Sequence, residues 1–150
     1  MADSTSETKR HNRAVKELLK KAALILVYRG ERHDLDKLQK PDKAGWDRAT
    51  PRLDVEFGTP AYFDHLRNNL QDVLQRHYEV SDHHPEHFER GVWEMNLLNL
   101  LEWLIDVADV CKQHGGGDVL ESLRISAKRF KIEPQLESVL INTLRELELL

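Results

Sequence analysis

Apolar residues recur at three- and four-residue steps along most of the chain, and this spacing is typical of amphipathic helices. The first such stretch predicts a helix from about Ser6 to Tyr28, with Gly30 placed to end it. Thr59-Pro60 pairs a favourable N-cap with a proline at the first helical position, which predicts a helix to about Tyr78. Further helices are predicted over 92–110, 119–130 and 134–149.

The pattern predicts an all-α protein, because no segment alternates apolar and polar residues as a strand would and no internal repeat is present. We expect a disordered lead over residues 1–8, followed by a single compact helical domain of about five to six helices over 9–150. Prolines and glycines interrupt residues 37–58, which predicts an irregular loop or lid with one short helix at most. Trp46 and Phe57 are its expected anchors.

Composition limits the function classes. The chain has 150 residues, with 22 Lys and Arg against 26 Asp and Glu, so it gives no general reason to expect nucleic-acid binding. Its one cysteine, Cys111, excludes a disulfide framework and favours a reducing compartment, which we take as the cytoplasm. No apolar run approaches the roughly 20 residues of a membrane helix. A homodimer is expected from an apolar C-terminus formed by Leu144, Leu147, Leu149 and Leu150.

The central helix carries polar residues on an apolar background. Asn99, Glu102 and Asp106 follow at i, i+3 and i+7, so they share one face. Buried carboxylates cost several kcal/mol unless a cation or hydrogen-bond donors meet them. Three interpretations are open: an arginine such as Arg29 or Arg129 pairs with them, Glu102 simply lies at the rim of the core, or Asp106 binds a divalent metal ion together with histidines.

Five of the eight histidines lie in two places, around His33 and from His77 to His87. His33-Asp34 at a helix exit is by itself typical of a solvated loop, and His11 on an apolar helix face is typical of a core histidine. In an extended segment, adjacent histidines point in opposite directions. We therefore expect at most one of His83 and His84 to share an ion with His77, unless the loop is irregular.

The order of these residues resembles that of the HD-domain metal-dependent phosphohydrolases. The shared pattern is a histidine on the first helix, a His-Asp pair with a nearby lysine, and a distal aspartate, here His11, His33-Asp34, Lys37 and Asp106. The longer series with His77 and His83-His84 is similar to the two-metal members, which include cyclic-dinucleotide phosphodiesterases. The short interval from His77 to His83 and the lack of a Gly-Tyr-Pro signature do not support that substrate class.

A closer resemblance covers nearly the whole chain. The segments beginning at His33, at His83 (HHPEHF) and at Glu102 are similar to those of a family of small uncharacterised proteins common in phages and prophages. The chain departs from that family at Asp36, Asn99 and Val107, where serine, aspartate and tryptophan are usual. This resemblance implies a phage-encoded protein acting in a host cytoplasm and says nothing about its activity.

The HD resemblance implies a metallohydrolase acting on a small phosphoester such as a nucleotide. Its first ion would be bound by His11, His33, Asp34 and Asp106, and a second by His77 with His83 or His84. Imidazoles and carboxylates together suit Mn, Fe, Co, Ni or Zn. The remaining expected roles are water orientation by Glu86 or Glu102 and phosphate binding by Lys37 or Arg129. Two alternatives stay open, a non-catalytic metal-stabilised helical module and an interaction protein with a polar core network.

Overall fold

The computed structural model describes residues 4–49, 59–113 and 117–150. In these ranges the chain forms six α-helices and no strand, which confirms the predicted all-α class. None of these helices combines the length and the apolar character that crossing a membrane requires. The helices are α1 (Ser4–Arg32), α2 (Lys43–Ala49), α3 (Pro60–Val80), α4 (Leu97–Gln113), α5 (Val119–Phe130) and α6 (Pro134–Glu146).

The chain divides into two compact units, Met1–His33 and Asp34–Leu150. The first consists of α1, in which no residue is buried. This helix begins at Ser4, so the described part of the expected lead is helical, with an ion pair between Glu7 and Arg10 in its first turns. The prediction that Gly30 ends the helix is wrong, because Gly30 lacks the left-handed backbone of a terminating glycine and the helix continues to Arg32.

In the second unit, local capping sets the helix ends. The Thr59 hydroxyl accepts from the Tyr62 N–H, which confirms the predicted start of α3. The Asp118 carboxylate accepts from two N–H groups at the start of α5, and Lys131 closes that helix in the left-handed conformation. As a result α5 has the predicted bounds, whereas α6 ends three residues before the predicted Leu149.

The central helix α4 starts later than the sequence pattern predicts. Residues Gly91–Glu94 form a short 3-10 turn in place of helix, and Gly91 has a left-handed backbone with φ 59°. The Asn96 side chain then accepts from the N–H groups of Leu98 and Asn99, so it caps the helix at Leu97. Val92 and Met95 pack on the core although they precede the α-helix, which is why periodicity alone placed the start too early.

The expected loop over 37–58 is more regular where it is described. Its first residues complete a 3-10 turn that spans Leu35–Leu38, and α2 follows. Phe57 lies outside the described residues. Helix α2 packs closely on α3, since a Cβ added to Gly45 would lie only 2.5 Å from a Val73 methyl group. Trp46, half-buried, packs on Leu70 and Val73. This contact holds the segment after Asp34 against α3.

The main core lies between α4, α5 and α6. It includes Trp103, Leu104, Leu123, Leu140 and Leu144. Leu144 is fully buried, so it belongs to the core and not to an exposed apolar C-terminus, although Leu147 and Leu150 are exposed. The apolar face of α4 is buried in this core. The polar residues of α4 are therefore directed to the loop that follows α3.

Candidate metal centre

Four side chains of the second unit converge on one point. Asp34 opens this unit, His77 lies in the last turns of α3, and His83 and His84 lie in the loop that follows. One ligand atom from each of the four lies within 4.8 Å of the others. His77 and His83 are only 1% and 3% exposed, while Asp34 and His84 are half-buried. We call these four residues the cluster.

The distances within the cluster suit a shared ion. His77 Nε2 lies 2.9 Å from His84 Nε2, and Asp34 Oδ1 lies 3.4 Å from His77 Nε2 and 3.6 Å from His83 Nε2. Two ligand atoms that are each about 2.0–2.1 Å from one ion lie roughly 3 Å apart. The four donors therefore fit a single transition-metal ion with little movement.

The loop after α3 brings two adjacent histidines to the same side. The His84 N–H donates to the Ser81 carbonyl across 3.1 Å, so residues 81–84 form a turn and not an extended segment. The His83 and His84 ring centroids are 4.1 Å apart. We expected both imidazoles to reach His77 only if the loop were irregular. The loop is irregular, and both imidazoles lie beside His77.

Two further carboxylates lie behind the histidine rings. Asp36 Oδ2 is 2.7 Å from His77 Nδ1, and Glu102 Oε1 is 3.5 Å from His83 Nδ1. A carboxylate at Nδ1 keeps the proton on that nitrogen and leaves the Nε2 lone pair for a metal. Both rings thus present Nε2 to the centre of the cluster.

Burial and charge favour the neutral form of His77. Burial lowers the pKa of His77, and the nearby Lys37 ammonium lowers it further, against the opposing effect of Asp36 and Asp34. Neutral imidazole is the metal-binding form. The Lys37 Nζ donates to Asp34 Oδ2 across 2.6 Å and lies 4.6 Å from the centre of the Trp46 ring. Lys37 therefore fixes one oxygen of Asp34 while the other faces the histidines.

The backbone at Asp34 is also unusual. Its φ of 58° and ψ of 16° lie in the left-handed region, which aspartate tolerates better than most residues. Asp34 immediately precedes the 3-10 turn over Leu35–Leu38, which carries Asp36 and Lys37. One short segment therefore supplies a cluster residue and two of the groups around the cluster.

The polar face of α4 meets the cluster through His83. Glu102 contacts that ring as described above, and a carboxylate oxygen of Asp106 lies within 4.8 Å of a His83 ring nitrogen. Asn99 is buried and donates from Nδ2 to Asp82 Oδ2 across 2.9 Å, which ties the loop to α4. Arg129, one of the two arginines considered as partners for these carboxylates, pairs with Glu86 across 2.7 Å.

Four further predicted residues are not members of the cluster. Glu86 is held by Arg129, and burial raises the pKa of its carboxyl group. His87 is exposed, and its Nδ1 lies 2.9 Å from the Tyr78 carbonyl oxygen. His11 and His33 belong to the N-terminal unit, where His11 is exposed and His33 is half-buried.

Sequence reasoning missed Asp36 and Ser81. Ser81 Oγ lies 3.2 Å from His77 Nδ1, beside the Asp36 carboxylate. A signal was available, because a histidine on a buried stripe needs a partner for Nδ1 and Asp36 lies two residues from a predicted ligand. The pairing itself joins residues 41 positions apart, which spacing does not show.

Comparison with known proteins identifies a family. A family model with the description "Family of unknown function (DUF5662)" matches residues 1–146. No curated protein and no solved structure is significantly similar to the chain. Because the match extends over nearly the whole sequence, the chain belongs to the DUF5662 family of unknown function.

Proposed function

We propose that this protein is a metal-dependent phosphohydrolase that uses the cluster to hydrolyse a small phosphoester. The observation that carries the proposal is the convergence of Asp34 Oδ1 with the Nε2 atoms of three histidines, two of which have carboxylates behind them. One carboxylate with three imidazoles suits Mn, Fe, Co, Ni or Zn better than Mg or Ca.

The side chains around the cluster have distinct parts in this proposal. Asp34, His77, His83 and His84 hold the ion, and a bound ion of this class supplies a water of lowered pKa and polarises a phosphoryl oxygen. Asp36 and Glu102 orient the rings of His77 and His83. Lys37 is held beside Asp34 and provides a positive charge for the phosphate.

A phosphoester is favoured as substrate for two reasons. The order of His33-Asp34, Lys37 and Asp106 resembles that of HD-domain phosphohydrolases, and Lys37 puts a cation at the edge of the cluster. A nucleotide is the first candidate to test. In this proposal Asp106, whose carboxylate lies near His83, contributes to binding a second ion or a water.

A non-catalytic, metal-stabilised module is the second candidate. The four cluster residues come from the segment before α2, from α3 and from the loop before α4. An ion bound there would join these elements, so the same ligands also suit a structural site.

Metal analysis and a substrate screen test the proposal. Protein without a His tag is purified, its transition metals are quantified, and phosphomonoesters, nucleotides and cyclic nucleotides are screened with added Mn or Co. We expect about one ion per chain and turnover of at least one ester, both lost in Asp34→Ala. His87→Ala is the matched control, because it removes a nearby histidine outside the cluster.

Two results would contradict the proposal. Full metal content in Asp34→Ala would show that the ion binds elsewhere. A metal-loaded protein that hydrolyses none of the esters, and in which Asp34→Ala mainly lowers thermal stability, would favour the structural module.

A further inference from the structure

A cavity of about 700 Å³ lies beside the cluster, between α3 and α5. This volume is within the usual range for small-molecule sites. Its apolar lining includes Leu66, Leu74, Ile125 and the ring of Tyr78. These side chains provide a surface that an apolar body of about one or two rings would cover.

The charged groups of the cavity have one sign. Arg67 and Arg129 line it, and none of the described lining residues is acidic. Arg67 also pairs with Asp64 on the exposed side of α3. Arg129 is fixed by Glu86 across 2.7 Å, by a hydrogen bond to Tyr78, and by the Phe130 ring 4.8 Å away. A preorganised guanidinium of this kind is suited to a phosphate oxygen.

Tyr78 is shared between the cavity and the cluster. Its ring lines the cavity, while its centroid lies 5.0 Å from that of His84 and 6.0 Å from that of His77. A ligand in contact with the Tyr78 ring is therefore separated from the cluster by this one side chain.

We propose that this cavity holds the alcohol portion of the substrate, and that the substrates are phosphomonoesters of apolar alcohols with an aromatic or alkyl body. The inference rests on the proposed phosphohydrolase function and favours esters of apolar alcohols over the nucleotide named there as the first candidate. The apolar body lies against Leu74, Ile125 and Tyr78, and Arg129 stabilises the negative charge of the ester.

Binding of two non-hydrolysable phosphonates tests the cavity separately from catalysis. Calorimetric titrations compare naphthylmethylphosphonate with methylphosphonate, which carries the same anion without the rings. We expect the naphthyl compound to bind at least about tenfold tighter, because its rings become buried. Ile125→Trp fills the cavity and should reduce this preference to less than about twofold.

The matched control is Val139→Trp, which adds the same side chain to an exposed position of α6 outside the cavity. It should keep the full preference, and circular dichroism verifies that both variants fold. Equal binding of the two phosphonates by the wild-type protein, or an unchanged preference in folded Ile125→Trp, would overturn the inference.

Turnover of phenyl phosphate and methyl phosphate by the metal-loaded protein separates this inference from the proposed function. If both esters are hydrolysed but no preference for the apolar body exists, the cavity assignment fails and the phosphohydrolase remains. If the naphthyl compound binds in an Ile125-dependent way and no ester is hydrolysed, the proposed function fails, and the cavity is a binding site without this substrate role.

Discussion

Asp36 and Glu102 contact the two most buried histidines of the cluster, His77 and His83, each at the Nδ1 atom. The shorter contact, 2.7 Å from Asp36 to His77, is the stronger constraint, since the ring is almost fully enclosed. A carboxylate in this position fixes the tautomer and raises the basicity of the other nitrogen. The effect of Asp36 on an ion would pass entirely through His77.

Removing Asp36 should therefore weaken metal binding without removing a ligand. We expect Asp36→Ala to lower the affinity for Zn or Mn by about 10–100-fold, measured by competition with a chromogenic chelator. Asp72→Ala removes an exposed aspartate of α3 and should leave the affinity unchanged. Equal affinities in the two variants would show that Asp36 does not support the site.

Glu86 provides a prediction on pH. Burial raises the pKa of this carboxyl group above its ordinary value, although Arg129 opposes the shift. Between the ordinary value of 4.5 and the raised one, the unfolded state has lost its proton while the folded state retains it, so the stability from this group falls as pH rises. Glu86→Gln keeps an acceptor for Arg129 and has no titrating proton.

Urea unfolding of both proteins at several pH values between about 4 and 7 measures this difference. We expect the free energy of unfolding of Glu86→Gln, relative to that of wild type, to increase as pH rises. A constant difference across this range would contradict a raised pKa, because the substitution would then have removed no pH-dependent contribution.

At the scale of elements, the contact between α2 and α3 positions the segment that carries Asp34, Asp36 and Lys37. Val73 is β-branched and has little rotamer freedom in a helix, so it cannot easily move away from a side chain at position 45. A methyl group on Gly45 would lie 2.5 Å from the Val73 Cγ1 atom. The absence of a side chain at this position is what permits the close packing.

Gly45→Ala should lower the free energy of unfolding by about 1–3 kcal/mol, because overpacking outweighs the better helix propensity of alanine. Chemical denaturation measures the change. Gly30→Ala is the control, since nothing lies within 4 Å of the added methyl group and α1 should gain up to about 1 kcal/mol in local helix stability. A Gly45→Ala protein as stable as wild type would show that α2 shifts at little cost.

Helix starts were predicted correctly where the capping side chain directly precedes the apolar pattern. Thr59 was recognised from the sequence as the cap of α3, and the start predicted for α5 agrees with the Asp118 cap that the structure shows. Gly30 failed as a stop signal because glycine ends a helix only where the backbone turns left-handed. The start of α4 failed because Asn96, and not the first apolar residue, sets it.

At the scale of the whole molecule, the second unit brings together residues from distant parts of the chain. Spacing identified the four cluster residues as candidates because each is a histidine or aspartate near a helix end. It did not show that all four meet at one point, since this depends on the turn over residues 81–84 and on the packing of α2 against α3. The Asp36–His77 contact is of the same long-range kind.

An ion bound by these four residues should stabilise the second unit as a whole. At a free concentration near one hundred times its dissociation constant, a ligand that binds only the folded state adds about 2.7 kcal/mol, or roughly 5–10 °C in Tm for a chain of this size. Tryptophan fluorescence is a suitable measure, because Trp46, Trp93 and Trp103 all lie in this unit.

The comparison is between protein treated with a chelator and the same protein with Zn or Mn restored. Wild type and His87→Ala should both show the rise in Tm, whereas His77→Ala should not, since it removes the cluster residue with contacts to Asp34, Asp36 and His84. Equal rises in wild type and His77→Ala would place the ion outside the cluster. If the rise in Tm is lost in His77→Ala but unaffected in Asp34→Ala, the histidines are ligands and the Asp34 carboxylate is not. The donor set would then no longer be mixed, and the choice of metals depends on that mixture.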